Sequence, residues 1–340
     1  MRRLLGLIIL LFTLCGCYPP VEYDTGTNEL AVHYLDVGQA DCSLLISDGE
    51  AMLIDGGNAD DSRLVYSYLT EYGIKELKYI IATHPHEDHM GGLTAALERA
   101  DVGKIYLGDG ENDASFYDKF IERAEKKNIE MAYAQNGEEI SLGNCDVTLY
   151  VAEDIDRDNL NNTSVMAKVE CGNISFLFTG DAEREAETEV IKMGADLSAT
   201  VLKAPHHGSD TSSSYQFLRE VMPEIIVISA GADNSYGHPH KEVMSRYRDL
   251  GSEIYRTDRD GHIIISTDGE EITVKTSKKS HKTNTIDEDD EEYRYVANKQ
   301  SKKLHLLTCS NLPKEENRVY FDNRDEAIQL GYTVCKGCNP

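Results

Sequence analysis

The stretch Thr83-His84-Pro85-His86-Glu87-Asp88-His89 decides how this chain is interpreted. It follows the apolar run Tyr79–Ile81 and leads into Gly91-Gly92, which predicts a loop between a strand and a helix. Three imidazoles and a carboxylate this close together can converge on one point, and they are donors that suit Zn²⁺ or Mn²⁺. A solvated polar turn is the alternative, but three histidines with an aspartate favour a metal centre.

Three other predicted strands end in polar residues of the same kind. Leu53-Ile54-Asp55-Gly56-Gly57 ends in an acid and two glycines, and Phe178-Thr179-Gly180-Asp181 repeats this pattern. Ala204-Pro205-His206-His207-Gly208-Ser209 carries histidines instead. The α/β folds place their chemistry at strand ends because the loops there are free to converge. Each stretch alone is compatible with an ordinary turn, but together they predict one site.

Short β-rich runs alternate with amphipathic stretches from Leu30 onward. The predicted strands are Ala31–Asp36, Cys42–Ser47, Ala51–Ile54, Tyr79–Thr83, Val147–Val151, Ser164–Val169, Ile174–Thr179, Thr200–Ala204, Ile225–Ser229 and Ile263–Ser266. The predicted helices are Asp60–Tyr72, Ser115–Asn128, Ala182–Met193, Ser213–Met222 and Lys241–Leu250. Because strands often follow strands directly, the pattern is typical of a layered α/β domain with mixed sheets.

The composition excludes several classes of protein. Of the 340 residues, 40% are hydrophobic and 28% are charged, so a wholly disordered chain, a collagen and a coiled-coil rod are excluded. Beyond the N-terminus no apolar run approaches the roughly 20 residues of a membrane helix. The net charge is −26, so long-range attraction to nucleic acid or to an anionic membrane is not expected without bound cations.

The N-terminus has the layout of a secretory signal. A basic start, Met1-Arg2-Arg3, precedes an apolar run of 11 residues, Leu4 to Leu14. Leu14-Cys15-Gly16-Cys17 resembles a bacterial lipobox, which would make Cys17 the lipid-bearing residue. We therefore expect a signal peptide over residues 1–16 and a lipid-anchored tether over 17–29, with the protein on the extracellular face of the cell membrane. A buried N-terminal helix is the alternative.

A change in the sign of the charge predicts a domain boundary. Residues 277–292 are polar and end in the six acids Asp287–Glu292, which is typical of a solvated linker. The following residues, 293–340, carry eight Lys and Arg against five Asp and Glu, a net charge of +3. We therefore expect a main domain over residues 30–276 and a small basic module over 293–340.

The small module carries four soft metal ligands. His305-x3-Cys309 followed by Cys335-x2-Cys338 fits a closed tetrahedral zinc site, and a module this short usually needs such a staple. A disulfide between Cys335 and Cys338 is the alternative, but it would leave Cys309 unpaired. The remaining cysteines of the main domain, Cys42, Cys145 and Cys171, lie singly in apolar runs, and we expect them to be buried thiols.

The main domain resembles the metallo-β-lactamase fold, an αββα sandwich that holds up to two metals. The resemblance rests on His84-x-His86-x-Asp88-His89 with Asp55, Asp181 and His206. More narrowly, the chain resembles the hydrolase domain of the ComEC competence family, which implies degradation of DNA. The stretches that carry this are Leu35-Asp36-Val37-Gly38-Gln39-Ala40-Asp41, Asn161-Asn162-Thr163-Ser164, Pro205-His206-His207-Gly208-Ser209 and Tyr236-Gly237-His238-Pro239.

This resemblance implies a centre of two divalent ions, Zn²⁺ or Mn²⁺. By it, His84 and His86 would hold the first ion, Asp88, His89 and His206 would hold the second, and Asp181 would bridge them. Residues that orient these ligands would be Asp55, Asn162, Ser164 and His207.

One departure from the fold concerns the first ion, because the usual additional histidine has no counterpart. The stretch Asn161–Ser164 occupies that position. Amide and hydroxyl oxygens are weaker and harder ligands, so we expect the first site to be labile or to prefer Mn²⁺.

The implied reaction is hydrolysis of a phosphodiester, with Asp88 steering the proton of the attacking water. His238 is the candidate for protonating the leaving oxygen or binding the phosphoryl group, although structural hydrogen bonding inside its Gly/Pro loop fits equally well. Candidate phosphate contacts are Lys203, Ser209 and Thr211. The small module resembles the Ada-type metal-binding domain, with His305 in place of one of the four cysteines of that domain, which argues against methyl acceptance.

Three functions fit these observations. The first is a membrane-anchored, metal-dependent phosphodiesterase that acts on DNA, with the module holding DNA near the site or serving structure only. The second is a hydrolase of another phosphodiester, such as a teichoic acid or a phosphorylcholine ester. The third is a non-enzymatic DNA-binding surface lipoprotein. The sequence predicts no oligomeric state.

Overall fold

The structure, a computed structural model, describes residues 29–110, 112–278, 295–306, 309, 311–321 and 324–338. The predicted signal peptide, the lipidation site Cys17 and the acidic run of the predicted linker lie outside these residues and stay predictions. None of the helices within these ranges combines the length and the hydrophobicity that crossing a membrane requires.

The strands and helices are short and alternate along the described chain. The strands are β1 (Leu30–Tyr34), β2 (Ser43–Ser47), β3 (Glu50–Ile54), β4 (Glu76–Ala82), β5 (Asp101–Leu107), β6 (Glu130–Tyr133), β7 (Glu138–Leu142), β8 (Cys145–Tyr150), β9 (Met166–Cys171), β10 (Ile174–Phe178), β11 (Val201–Lys203), β12 (Ile225–Ile228), β13 (Glu253–Arg256), β14 (Ile263–Thr267), β15 (Ile272–Thr276), β16 (Tyr295–Asn298), β17 (Lys303–Leu306), β18 (Arg318–Phe321) and β19 (Thr333–Val334). The helices are α1 (Ser62–Glu71), α2 (Glu87–Met90), α3 (Leu93–Arg99), α4 (Ser115–Lys126), α5 (Arg184–Lys192), α6 (Tyr215–Val221), α7 (Lys241–Leu250), α8 (Thr257–Asp260) and α9 (Arg324–Gln329).

Two large sheets form the main domain. Among the described residues the first has the strand order β15-β14-β1-β2-β3-β4-β5-β6, and the second has the order β13-β12-β11-β10-β9-β8-β7. Each sheet is mixed: β1, β2 and β3 pair antiparallel, whereas β3, β4, β5 and β6 pair parallel. The second sheet likewise passes from antiparallel β7–β10 to parallel β10–β13.

Alternating apolar side chains explain why these sheets stack. In β3, Met52 and Ile54 belong to the core between the two sheets, whereas Leu53 belongs to the core beneath α1, α3 and α4. The second sheet does the same with β12, whose outer face packs under α5, α6 and α7. Both faces of both sheets are therefore buried, which gives four layers, helix–sheet–sheet–helix. The predicted αββα sandwich with a small C-terminal domain is confirmed.

The parallel part of each sheet determines where the polar loops meet. Strands β3 and β4 are parallel neighbours, so the loops that carry Asp55 and His84 leave the same edge of the first sheet. Strands β10 and β11 are parallel neighbours in the second sheet, and the loops after them carry Asp181 and His207. Stacking the sheets brings these four loops to one end of the sandwich, where ligand sites of such folds form.

Several elements escaped the sequence prediction. Strand β5 begins with the exposed half Asp101–Lys104, which includes a glycine, and strand β7 carries two acids at its start, so neither shows a clear apolar run. Helix α3 follows Gly91-Gly92 directly and is only seven residues long. Packing against neighbouring elements, rather than local pattern, decides these segments.

The expectation of three single buried thiols is wrong for two of them. Cys145 and Cys171 form a disulfide, while Cys42 is a free buried thiol. Strands β8 and β9 pair antiparallel with Asp146 opposite Glu170, so the next pair in the register is Cys145 and Cys171. Sequence spacing alone could not reveal this register, because 26 residues separate the two cysteines.

The small module has its own sheet and core. Its strand order is β18-β16-β17-β19 within the described residues, and Ala297, Leu304, Phe321, Ala327 and Tyr332 form a small buried cluster. The main domain ends with β15 at Thr276, and the module begins with β16 at Tyr295.

Candidate metal centre

Unusual backbone conformations place the loop side chains. Asp55, His206 and His207 all have positive φ, at 57°, 48° and 53°, which non-glycine residues rarely adopt. Gly180, at φ +50°, leaves no room for a side chain, because a Cβ there would lie 2.8 Å from both Ser164 Oγ and Thr83 Oγ1. Such strain persists where the surrounding structure fixes it, and it often marks a functional site.

Four donor residues converge at the end of the sandwich. Ligand atoms of Asp88, His89, Asp181 and His207 all lie within 4.8 Å of one another. His89 Nε2 is 3.2 Å from Asp181 Oδ1, and His207 Nε2 is 3.3 Å from Asp88 Oδ2. The four residues come from helix α2, which follows β4, and from the segments after β10 and β11, as the strand ends predict.

The donor atoms of this group are those that a metal would satisfy. His89 Nε2, Asp181 Oδ1 and His207 Nε2 are buried and have no hydrogen-bond partner. Buried polar atoms are rarely left unpaired in proteins, because each costs about 1–3 kcal/mol. Two imidazole nitrogens and two carboxylates are also the ligand types that Zn²⁺ and Mn²⁺ take. The residues therefore fit a divalent cation.

His84 and His86 form a second donor pair beside this group. His84 Nε2 lies 2.9 Å from His86 Nδ1 and 4.0 Å from Asp181 Oδ2. Ser164 Oγ lies 3.4 Å from His84 Nδ1 and accepts a hydrogen bond from Asp181 N, so it contacts both predicted ligands. Burial lowers the pKa of His84 well below its usual value, which keeps the ring neutral and able to bind a cation.

The structure brings both adjacent histidines to the site. We expected His206 to be the ligand and His207 to support it, and it is His207 that belongs to the donor group. His206 Nε2 lies 3.7 Å from Asp181 Oδ2, against 3.6 Å for His207 Nε2, but His206 is less buried and its Nδ1 lies 3.4 Å from Glu183. The reason is the pair of positive φ angles, which turns the chain so that His207 faces inward and His206 faces the opening.

Buried oxygen acceptors hold the imidazoles in place from behind. Asp55 Oδ2 lies 2.8 Å from His89 Nδ1, and both of its oxygens also accept hydrogen bonds from Thr83. His207 Nδ1 bonds to Ser229 O at 3.0 Å, and Asp41 Oδ1 lies 3.3 Å from the same nitrogen without a hydrogen bond. Asp55 therefore fixes the His89 ring and Ser229 O fixes the His207 ring, so that each Nε2 faces the donor group. Asp55 was predicted in this role, whereas Asp41 was recognised only as part of a motif.

Lys203 is not a phosphate contact. Its side chain is 2% exposed, its Nζ lies 2.8 Å from Asp41 Oδ2, and it donates a hydrogen bond to Ala204 O. Burial opposes ionisation of Asp41, but Lys203 and His207 outweigh it and lower the pKa of this carboxyl. Lys203 thus neutralises the buried acid that lies beside His207.

The carboxylates dominate the electrostatics of the donor group. Burial alone favours neutral rings, but Asp181, Asp55 and Asp88 raise the pKa of His89 well above its usual value. The pKa of His207 is raised to about 10 in the same way, chiefly by Asp181 and Asp41 against the effect of burial. The site is strongly attractive to positive charge, whether protons or a metal cation supply it.

The donor group opens into a cavity of about 540 Å³. His238 lines it and is 9% exposed, and its ring stacks on the exposed ring of Tyr236 with the two centroids 5.6 Å apart. Gln39 Oε1 accepts a hydrogen bond from Gly231 N, so its amide group presents Nε2 to His238 Nδ1 at 3.2 Å. Since Gln39 donates there, the neutral His238 ring carries its proton on Nε2. The remaining lining residues are Asn58, His86, Glu87, Asp88, Asn161, Asp181, His206 and His207.

The other predicted residues have mainly structural contacts. Asn162 accepts from Glu183 N and donates to Glu185, so both ends of its amide are engaged. Ser209 and Thr211 bond to each other at 3.0 Å, and Thr211 Oγ1 also meets His206 Nδ1 at 3.1 Å.

The C-terminal module gathers its four predicted ligands. His305, Cys309, Cys335 and Cys338 bring their donor atoms within 4.8 Å of one another, and all three cysteines are free thiols. Backbone amides of Leu306 and Gly337 lie 3.4 Å from Cys338 Sγ and Cys335 Sγ, as is usual around zinc-bound thiolates. The alternative disulfide between Cys335 and Cys338 is not formed.

The loop that follows His207 is anchored by a buried acid. Glu187 Oε1 accepts from Ser213 N at 2.5 Å, and Oε2 accepts from Ser214 N at 3.0 Å. Burial raises the pKa of Glu187 to about 7, although these amides and Arg246 oppose the shift. The acid is therefore half-protonated near neutral pH while it holds the loop.

Comparison with known proteins agrees with this geometry. The family described as "Metallo-beta-lactamase superfamily" matches residues 35–231, and "Metal binding domain of Ada" matches residues 282–340.

Curated relatives cover the main domain. ComE operon protein 3 of Bacillus subtilis (strain 168) is 27% identical over 259 residues, 71% of this chain and 33% of the relative. Competence protein ComA of Neisseria gonorrhoeae is 30% identical over 240 residues, 69% of this chain and 32% of the relative. The chain thus spans about a third of the length of each. Among solved structures, the metallo-beta-lactamase fold protein YhfI from Bacillus subtilis aligns with a TM-score of 0.46 at 13% identity, covering 69% of this chain and 99% of YhfI.

Replacing Lys203 tests its structural role. Lys203→Met leaves Asp41 as a buried carboxylate without its cation, so we expect the free energy of unfolding to fall by about 3–5 kcal/mol. Urea titration measures this, and the double variant Asp41→Asn/Lys203→Met should recover part of the loss. An unchanged urea midpoint for Lys203→Met would contradict the assignment.

Glu187 predicts a dependence of stability on pH. The folded protein keeps the proton on Glu187 up to about pH 7, whereas an unfolded chain releases it near pH 4.5. Stability should therefore fall as the pH rises through this window, by about 3 kcal/mol in total from this group.

Glu187→Gln should remove that part of the pH dependence. Unfolding by urea at pH 5, 6, 7 and 8 measures it, with Glu220→Gln on the exposed face of α6 as a control. If wild type and Glu187→Gln differ by the same free energy at every pH, the buried acid does not titrate in this range.

Proposed function

Because the chain belongs to the metallo-beta-lactamase superfamily and carries an Ada-type metal-binding domain, it is a metal-dependent hydrolase, and we propose that it cleaves phosphodiester bonds of DNA. One observation carries the proposal: buried, unpartnered nitrogen and oxygen donors of His89, Asp181 and His207 meet beside a cavity that Asp181 and His207 line. Such a site suits an anionic substrate that approaches bound cations.

Two cation positions follow from the donors. Asp88, His89, Asp181 and His207 would hold one divalent ion, either Zn²⁺ or Mn²⁺. His84 and His86, together with Asp181, would hold the other ion. When bound, such ions polarise a phosphate oxygen and lower the pKa of a water molecule.

The surrounding groups hold the histidine rings of this centre in fixed orientations. Asp55 fixes the His89 ring and Ser229 O fixes the His207 ring from behind, so no reorientation is needed when substrate arrives. Lys203 balances the charge of Asp41 without entering the cavity. The carboxylates of Asp88 and Asp181 therefore remain available to bind cations.

His238 is the residue best placed to bind the phosphoryl group. It lines the cavity beside His207, with the two ring centroids 6.3 Å apart, and its hydrogen bond with Gln39 fixes the proton on Nε2. From there the neutral ring can donate a hydrogen bond to an oxygen of a bound phosphodiester. Asp88, which also lines the cavity, can orient the proton of the attacking water.

The choice of DNA draws on the relatives. Two curated relatives that match the main domain are named as a competence protein and as a product of the ComE operon. Tyr236, 67% exposed at the cavity mouth, offers an aromatic face on which a nucleobase can stack. The net charge of −26 predicts weak and strongly salt-dependent binding to long DNA.

We place this activity on the outer face of the cell membrane, with Cys17 as the lipid anchor. The lipobox pattern at residues 14–17 supports this. The Cys145–Cys171 disulfide also supports it, because disulfides persist in oxidising compartments.

Digestion of labelled DNA by the purified protein with Mn²⁺ or Zn²⁺ tests the proposal. His207→Ala removes a donor, and we expect the rate to fall at least about 100-fold, as it should for His86→Ala. His262→Gln, a histidine change at the start of β14 away from the cavity, is the matched control.

Two results would count against the proposal. Full activity of His207→Ala would show that the donor group is not the catalyst. Turnover of a teichoic acid or phosphorylcholine ester, with none of DNA, would keep the hydrolase and replace its substrate.

A further inference from the structure

A second polar cavity lies where the C-terminal module meets the main domain. It has a volume of about 430 Å³, and residues of both parts line it. Its cationic side chains are Arg184 and Arg246 of the main domain and Lys299 and Arg318 of the module. The metal centre described above uses none of them.

Two of these cations have hydrogen-bonding capacity to spare. Arg246 is 4% exposed, and its Nη1 donates to Ser212 O and Ser213 O, but its buried Nε has no acceptor. Arg318 donates from Nε to Pro313 O, and its buried Nη1 has no acceptor either. Each guanidinium therefore has one N–H group without an acceptor, although Glu187 lies near Arg246 and Asp249 lies near Arg318.

The carboxylates of the same cavity are largely engaged elsewhere. Glu315 accepts from Tyr215 N at 2.8 Å and lies 3.5 Å from Arg184 Nε. Asp210 lies 3.3 Å from His240 Nδ1. Glu242 also lines the cavity, so its lining carries four cationic side chains against three carboxylates.

The cavity is linked to the metal centre through one short loop. Arg184 N donates to Thr211 O, and Asp210 N donates to His240 Nδ1. The His240 ring packs edge-on against His238, with centroids 4.8 Å apart. The loop that runs from His207 therefore forms part of the wall of both cavities.

We propose that this cavity binds a phosphate group other than the one that is cleaved. Guanidinium groups suit phosphate because their N–H groups match its oxygens, and Lys299 adds charge at the entrance. The inference rests on the proposed function, since a polynucleotide strand carries phosphates on both sides of the scissile bond. The module thereby supplies part of the substrate-binding surface.

Binding of a labelled DNA oligonucleotide tests the site without turnover. The measurement is fluorescence anisotropy on the His86→Ala background, with no chelator so that the module keeps its metal. Arg318→Gln should weaken binding about tenfold and lower the slope of log affinity against log salt by about one.

Further variants separate charge from folding. Lys299→Gln leaves the packing of Arg318 on Tyr215 intact and should also reduce the salt slope. Arg318→Lys should retain most of the slope, and Lys275→Gln on exposed β15 removes one charge elsewhere as a control. Equal affinity and equal slope for wild type, Arg318→Gln and Lys299→Gln would overturn the inference.

A second measurement keeps this inference distinct from the proposed function. In the active protein, Arg318→Gln should lower kcat/KM for the oligonucleotide relative to that for bis(p-nitrophenyl) phosphate by about tenfold, because the small diester spans only one site. If no diester is hydrolysed but Arg318→Gln still weakens DNA binding, the function fails and the phosphate site stands.

A melting measurement with inorganic phosphate distinguishes a site for a DNA strand from a site for a free phosphate ion. If phosphate raises the melting temperature of the wild type but not of Arg318→Gln, while DNA binding is the same in both, the site takes free phosphate and the assignment to a strand is overturned.

Discussion

Three buried carboxylates, Asp41, Asp55 and Asp181, impose the constraint on which the rest of this end of the molecule depends. Buried negative charge is costly unless cations and hydrogen bonds compensate it. Lys203 compensates Asp41, Thr83 bonds both oxygens of Asp55, and imidazoles face all three acids. Loops from both sheets must therefore be in place together, which explains the left-handed backbone at Asp55, His206 and His207.

The sandwich provides this arrangement because its two sheets are built alike. Each sheet has an antiparallel part and a parallel part. The loops that follow the parallel strands leave the sheet at one edge. The first sheet delivers Asp55 and the histidine stretch, and the second delivers Asp181 and His207. The long-range stacking of the sheets, rather than any local motif, sets the spacing between donors.

The sequence predicted the chemistry better than the geometry. The histidine stretch and the polar strand ends were sufficient to locate the centre, because residue types suited to metals are rare at such density. The choice between His206 and His207 depended on φ angles that adjacent identical residues do not reveal. Lys203 was predicted as a phosphate contact because its partner Asp41 lies 162 positions away in the chain, so the sequence did not reveal their ion pair. The Cys145–Cys171 pair required the register of two strands.

The contact between Glu315 and the main chain of Tyr215 has an evolutionary consequence. Tyr215 N belongs to the first turn of α6, where backbone N–H groups have no partner within the helix. No substitution except one to proline removes a main-chain amide, so this docking point tolerates most changes of the Tyr215 side chain. After a gene fusion, a module with one suitably placed acid could therefore make this contact, because the amide of the main domain is already in place.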